Sequence, residues 1–241
     1  SLHARPLSDF CRSLLVALGT PEAHAHIVSD SLVEANLRGV DSHGIQMLVT
    51  YIMQVRAGGI EVGSAGKVAV RSGACMLYDG GNGLGQVVAD RCTDHVLRLV
   101  SRSGVAVVVA RNSNHFGAGA YWGEKIARSG YIAVVLSNAC PAVAPWGGRS
   151  ARLGTNPICV AAPGTKSGRW LLDMATSSIP LNRVMLHRSL DKTLPEGVAA
   201  TPEAVRGLAG RISYASDQHT LRPDDGARII AVPGEAAPEE L

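Results

Sequence analysis

Two histidines in this 241-residue chain sit in short polar segments whose composition suits proton transfer. Asp41-Ser42-His43-Gly44 puts a carboxylate, a hydroxyl and an imidazole at a break between two helical patterns, where side chains can converge on a ligand. His43, Met47 and Tyr51 then follow at i, i+4 and i+8, one slowly turning stripe of the next helix. A capped helix with a half-buried histidine would carry the same residues. The second segment, Asn112-Ser113-Asn114-His115-Phe116-Gly117, follows a β-branched run, and the carboxyl end of a strand is where α/β sheets bind ligands. Amides and a hydroxyl around His115 can fix its tautomer and poise it as an acid or base. An Asn/Ser turn with an incidental histidine is the competing reading.

Three further segments suit ligand binding. Gly80-Gly81-Asn82-Gly83-Leu84-Gly85 follows a strand pattern and opens a helix, but GxGxG is not the dinucleotide fingerprint. The next strand pattern ends in Val109-Ala110-Arg111, with no acid placed for a ribose hydroxyl. A flexible turn is the expectation there. The stretch from Asn138 to Pro157 is a loop long enough to suggest function. Asp173-Met174-Ala175-Thr176-Ser177 offers an acceptor and hydroxyls for ribose or phosphate, or equally a helix cap.

Other chemistries find little support. Neither a GxSxG elbow nor an HExxH helix occurs, which disfavours serine hydrolase and zincin chemistry. His24 and His26 lie two apart on a helix and face opposite sides, and His95 falls inside another helical stretch. The five cysteines form no CxxC pair, so no metal site is expected and the thiols should be reduced. A net charge of +3 without a basic run points away from nucleic acid. No apolar run approaches membrane-spanning length, and Ser1 to Arg5 lack a signal-peptide pattern. A cytoplasmic protein is the expectation.

The elements that must position these residues are partly legible. Thr20-Pro21-Glu22 reads as a helix start with a hydroxyl cap, and Ile27, Val28, Leu32 and Ala35 give one apolar stripe. A second helix runs from about Ile45 to Ala57. Strands are expected at Cys75 to Asp79, Gly104 to Ala110, Tyr131 to Ser137, Pro157 to Ala162, Arg169 to Leu172 and Arg228 to Val232. Helices are expected from about Gly85 to Ser101 and Tyr121 to Ser129. That rhythm predicts an α/β fold with some parallel pairing. Residues 1–65 read as a helical N-terminal region, and residues 66–241 as one α/β domain carrying cofactor and substrate.

Taken together, the segments resemble the non-Rossmann malate/L-lactate dehydrogenase family. The matching runs are Leu37 to Gly44, Gly83-Leu84-Gly85-Gln86, Asn112 to Gly117, Ala144-Pro145-Trp146-Gly147-Gly148, Leu153-Gly154-Thr155-Asn156-Pro157 and Asp173 to Ser177. They occur in family order over residues 1 to about 197. The resemblance implies a mixed-sheet, non-Rossmann NAD(P)-binding fold, a homodimer with its site near the subunit interface, and chemistry on a small 2-hydroxy, 2-oxo or cyclic 2-imino acid.

Carried over by residue, the resemblance makes His43 and His115 the proton donor/acceptor candidates. Ser42 and Tyr51 would line the substrate, and Asn156, Asp173, Met174 and Ala175 would touch NAD or NADP. Many relatives place a carboxylate-clamping arginine where this chain has Met47. After about residue 200 the chain is shorter than the family pattern, as if an internal piece were absent. Both departures favour a second reading, a catalytically inactive member that acts as a binding or dimer-forming subunit.

Overall fold

The computed structural model describes residues 3–145, 151–164, 169–195 and the backbone of 227–233. Its N-terminal part is helical: α1 (Ala4–Ala17), α2 (Glu22–Leu37), a 3-10 turn (Asp41–His43) and α3 (Gln46–Arg56). The expected Thr20 cap does not form. The Thr20 N–H closes the last turn of α1 on the Leu15 carbonyl, and its hydroxyl is buried without a partner among the described residues. Pro21, with φ fixed near its ring value, starts α2 instead.

The rest is a seven-stranded mixed sheet with helices packed on it. Its elements are β1 (Lys67–Ser72), β2 (Cys75–Gly83), α4 (Gly85–Ser103), β3 (Ala106–Ser113), α5 (Gly119–Arg128), β4 (Tyr131–Ser137), β5 (Ile158–Ala162), β6 (Trp170–Met174), α6 (Leu181–Ser189) and β7 (Ala227–Pro233). The spatial order is β1-β2-β3-β7-β4-β5-β6. β2 and β3 run parallel through the α4 crossover, whereas β7 is antiparallel to both its neighbours, β3 and β4. The last described strand in sequence is thus central in the sheet.

The glycine run is no free turn. Gly80 to Gly83 prolong β2, and Gly83 pairs with Ser113 of β3 after a register shift. Two apolar cores result. The first joins Cys11, Leu15, Val28, Leu32, Met47, Leu48 and Tyr51 to Leu84 and Val87 of α4. The second packs Val88, Cys92, Val96 and Val100 of α4 against sheet residues such as Val108 and Val135. Helix α4 therefore serves both cores, and its N-terminus lies where they meet. Among the described residues, no helix is long and apolar enough to cross a membrane.

Candidate active site

The Asp41–Gly44 segment is held by one amide. The Asn36 Oδ1 accepts the Ile45 N–H at 2.8 Å while its Nδ2 donates to Asp41 at 2.5 Å. A Cβ on Gly44 would stand 2.2 Å from the Asn36 amide oxygen, so a larger residue there would displace the Asn36 side chain from these two bonds. Helix α6 packs on this turn, and Gln46 Nε2 donates to the carbonyls of Ser42 and Asn182. Ser42 is buried, and its hydroxyl lies 3.0 Å from the His43 Nδ1.

The loop after β3 is built on the glycine run. Asn112, at φ 49°, donates to both Asp79 carboxylate oxygens. Buried Asn114 donates to the carbonyls of Asn82 and Gly83. Gly85 abuts this loop so closely that a Cβ would lie 2.1 Å from the Asn114 carbonyl oxygen and 2.3 Å from that of His115. The expectation that Asn112, Ser113 and Asn114 fix the His115 tautomer is therefore corrected. Asn112 and Asn114 fasten the loop to β2, and Ser113 lies 3.4 Å from the Asn114 carbonyl. None of the three is bonded to the imidazole.

What holds the ring is Tyr51. Its hydroxyl lies 2.7 Å from His115 Nδ1 and accepts the Gln86 Nε2–H at 2.9 Å. The Gly117 N–H points at the same Nδ1 from 3.4 Å. A backbone N–H can only donate, so in this arrangement Nδ1 accepts, Tyr51 donates to it and the proton resides on Nε2. The His43 ring stacks on His115 at 5.6 Å between centroids and 25° between planes. The structure thus brings His43, His115, Ser42 and Tyr51 together from three places in the chain.

Burial sets the charge of this cluster. Desolvation pushes the His115 imidazole down to about 3, with His43 adding to the effect, and lowers His43 as well. Burial raises the Tyr51 phenol against the opposing Gln86 hydrogen bond. The folded chain therefore keeps both histidines neutral. Below the ordinary histidine value of 6.5 the unfolded chain binds protons that the folded chain refuses, so this stabilisation is complete above that value and is lost as pH falls toward about 3. The melting temperature should drop through that window, and His115→Gln should flatten the drop. An unchanged slope in the variant would mean that His115 does not titrate this way.

Met47 is buried in the first core beside Leu48 and Tyr51. Farther along, Asn156 adopts φ 35° and accepts the Ala139 N–H through Oδ1 at 3.0 Å, which ties the two ends of the long loop. Asp173 lies within β6 rather than following it, and its carboxylate accepts the Ala120 N–H at 2.7 Å at the start of α5. Met174 is half exposed, Ala175 less so, and Thr176 donates its N–H to the Thr155 carbonyl. Trp146-Gly147-Gly148 lie outside the described residues. A nicotinamide dinucleotide needs polar partners for its ribose and amide groups and apolar area for its rings. A carboxylate beside an exposed methionine and threonine meets both needs in kind.

Sequence reasoning missed three contributors to the histidine site: Asn36, Gly117 and Gln86. Gln86 had a signal, since an amide flanked by Leu84, Val87 and Val88 at the start of an apolar helix must find partners once buried.

The comparisons agree with the geometry. The malate/L-lactate dehydrogenase family model matches residues 2–205. The chain is 42% identical over 197 residues to malate dehydrogenase from Pyrococcus horikoshii, covering 82% of this chain and 54% of that protein. It is 38% identical over 205 residues to L-sulfolactate dehydrogenase from Methanocaldococcus jannaschii, covering 83% and 59%. The chain thus spans about half the length of the curated relatives it matches. The solved malate dehydrogenase of P. horikoshii superposes with a TM-score of 0.80 at 31% identity, over 96% of this chain and 75% of that one. With the fold shared and the family pattern running through both histidine segments, this chain belongs to the malate/L-lactate dehydrogenase family.

Proposed function

We propose that the chain acts as an NAD(P)-dependent oxidoreductase that interconverts a small malate- or lactate-like 2-hydroxy acid with its 2-oxo acid, or reduces a cyclic 2-imino acid. The observation that supports this best is His115, held at Nδ1 by Tyr51 and Gly117 and stacked on His43. That leaves Nε2 as the nitrogen for a substrate. The names of the relatives, malate and L-sulfolactate dehydrogenase, point to the same substrate class.

The nicotinamide, when bound, supplies or takes up the hydride. His115 moves the proton at the substrate oxygen or imine nitrogen, and His43 is the second proton-transfer candidate. Ser42, Tyr51 and Met47 line the substrate side. Asn156, Asp173, Met174 and Ala175 hold the cofactor. A homodimer is the expected assembly, with the exposed Trp170 and Leu172 of edge strand β6 as surface for it. Fluorescence titration with NADH and NADPH, followed by turnover of 2-oxo and cyclic 2-imino acids, tests the reading. Cofactor binding without turnover of any of them would leave the non-catalytic subunit as the function.

Asp173→Ala separates two roles of one carboxylate. Loss of its bond to the Ala120 N–H removes a helix-start partner worth about 1 kcal/mol, so the melting temperature should fall by a few degrees. NAD(P)H binding should weaken clearly as well. A lower melting temperature with unchanged NAD(P)H affinity would reduce Asp173 to a cap.

A further inference from the structure

Gln86 is fully buried at the N-terminal end of α4, yet its Oε1 has no hydrogen-bond partner among the described residues, while its Nε2 donates to Tyr51. Buried carbonyl oxygens rarely stay unpaired, and this one belongs to the side chain behind Tyr51 and His115. The two ends of a primary amide are nearly alike in shape, one a double donor and the other an acceptor. Half a turn about its last bond would set Oε1 at the 2.9 Å position facing the Tyr51 hydroxyl.

We infer that Gln86 is a positioning residue whose amide orientation selects the tautomer of His115 through Tyr51. The inference rests on the dehydrogenase reading above. With Nε2 toward Tyr51, the phenol donates to Nδ1 and the His115 proton stays on Nε2. In that state His115 can hydrogen-bond a substrate, but it cannot release its proton without making an imidazolate or drawing one from Tyr51. With Oε1 toward Tyr51 the chain of bonds reverses: Nδ1–H donates to the phenol oxygen, the phenol donates to Oε1, and the long 3.4 Å contact from the Gly117 N–H to Nδ1 is given up. His115 then cycles between imidazolium and the neutral Nδ1–H form.

Proton and electron pair balance in that cycle. In reduction the Nε2–H bond breaks and its proton goes to the substrate oxygen or imine nitrogen, while a bound nicotinamide would supply the hydride that balances it at carbon. In oxidation the Nε2 lone pair takes the proton back as hydride leaves. Tyr51 keeps one proton throughout. The groups facing the His115 ring are His43 from the 3-10 turn, Tyr51 from α3 and the Gly117 N–H of its own loop, with neutral Gln86 behind Tyr51. Among the described residues no carboxylate bonds to this chain, and the Gly117 N–H, at 3.4 Å, favours an accepting Nδ1; the amide is the partner whose polarity can be reversed by rotation.

Three variants test this. Gln86→Glu offers only acceptors when ionised, so it should lock the Nδ1–H form. Nitrogen-15 NMR of the free protein should show His115 switching from protonated Nε2 in the native chain to protonated Nδ1 in the variant. The pH limb of turnover that belongs to His115 should move up by about one unit or more. Gln86→Met keeps the bulk and loses both polar ends; kcat should fall at least tenfold while NAD(P)H affinity is kept. Tyr51→Phe should show a similar loss, and adding Gln86→Met to it should cost little more. An unchanged His115 tautomer and pH limb in folded Gln86→Glu would overturn the inference, as would full additivity of the two losses. Absence of turnover in the native chain would instead overturn the dehydrogenase reading, and the NMR result would stand apart from it.

Discussion

Replacing His115 with alanine is expected to lower turnover by about 10²- to 10⁴-fold, the range for loss of a positioned general acid or base, while NAD(P)H still binds. Two observations set this expectation. The imidazole is fastened at Nδ1 by Tyr51 and Gly117, so its other nitrogen is aimed rather than free to wander. Its loop is in turn pinned to β2 through Asn112 and Asn114, so truncation of the ring leaves the backbone in place. Steady-state kinetics beside fluorescence titration of NADH and NADPH reads both quantities. His43 is stacked on His115 and neutral for the same reason. Near-normal turnover in His115→Ala would therefore transfer the proton to His43, and His43→Ala would then show the loss.

Gly85→Ala is expected to be nearly as damaging without touching a polar group. The added methyl would sit 2.1 to 2.4 Å from three backbone atoms of Asn114 and His115, well inside contact distance, and none of them belongs to a side chain that can swing away. Overpacking of this kind costs about 1–3 kcal/mol, a melting-temperature loss of a few degrees in a chain of this size. The larger effect should be on turnover. Displacing the His115 loop by about 1 Å can cost on the order of 10²-fold in rate. Gly63→Ala is the control, because a Cβ there meets only the Glu61 carboxylate, at 3.9 Å, and both stability and rate should stay near those of the native chain. If Gly85→Ala kept full turnover, the fit between α4 and the His115 loop would have no part in placing the ring.

Much of the fold is local in origin, and those parts were legible. The stripe Val28, Leu32, Ala35 predicts a helix to Leu37, where α2 ends. The runs expected as strands at 104–110 and 131–137 correspond to β3 (Ala106–Ser113) and β4 (Tyr131–Ser137). Elements without an apolar face were missed. Every residue of β1 is exposed, and α6 has no buried residue, so neither leaves the periodicity from which an element is inferred. Helix α1 was hidden for another reason: only Cys11 and Leu15 are fully buried along it.

The candidate site divides along the same line. Both histidine segments stood out from residue type alone, since an imidazole among hydroxyls and amides is chemically conspicuous wherever the chain leads. What surrounds each imidazole was decided by contacts far apart in sequence. Tyr51 reaches His115 across 64 positions and Gln86 reaches Tyr51 across 35, while the near neighbours Asn112 and Asn114 turn away to hold β2. Sequence alone thus determined which groups can carry a proton, because that follows from side-chain chemistry. Which tautomer they hold, and how burial keeps them neutral, was decided only when α3, α4 and the β3 loop packed into one place, since hydrogen-bond direction and desolvation depend on distance in space rather than along the chain.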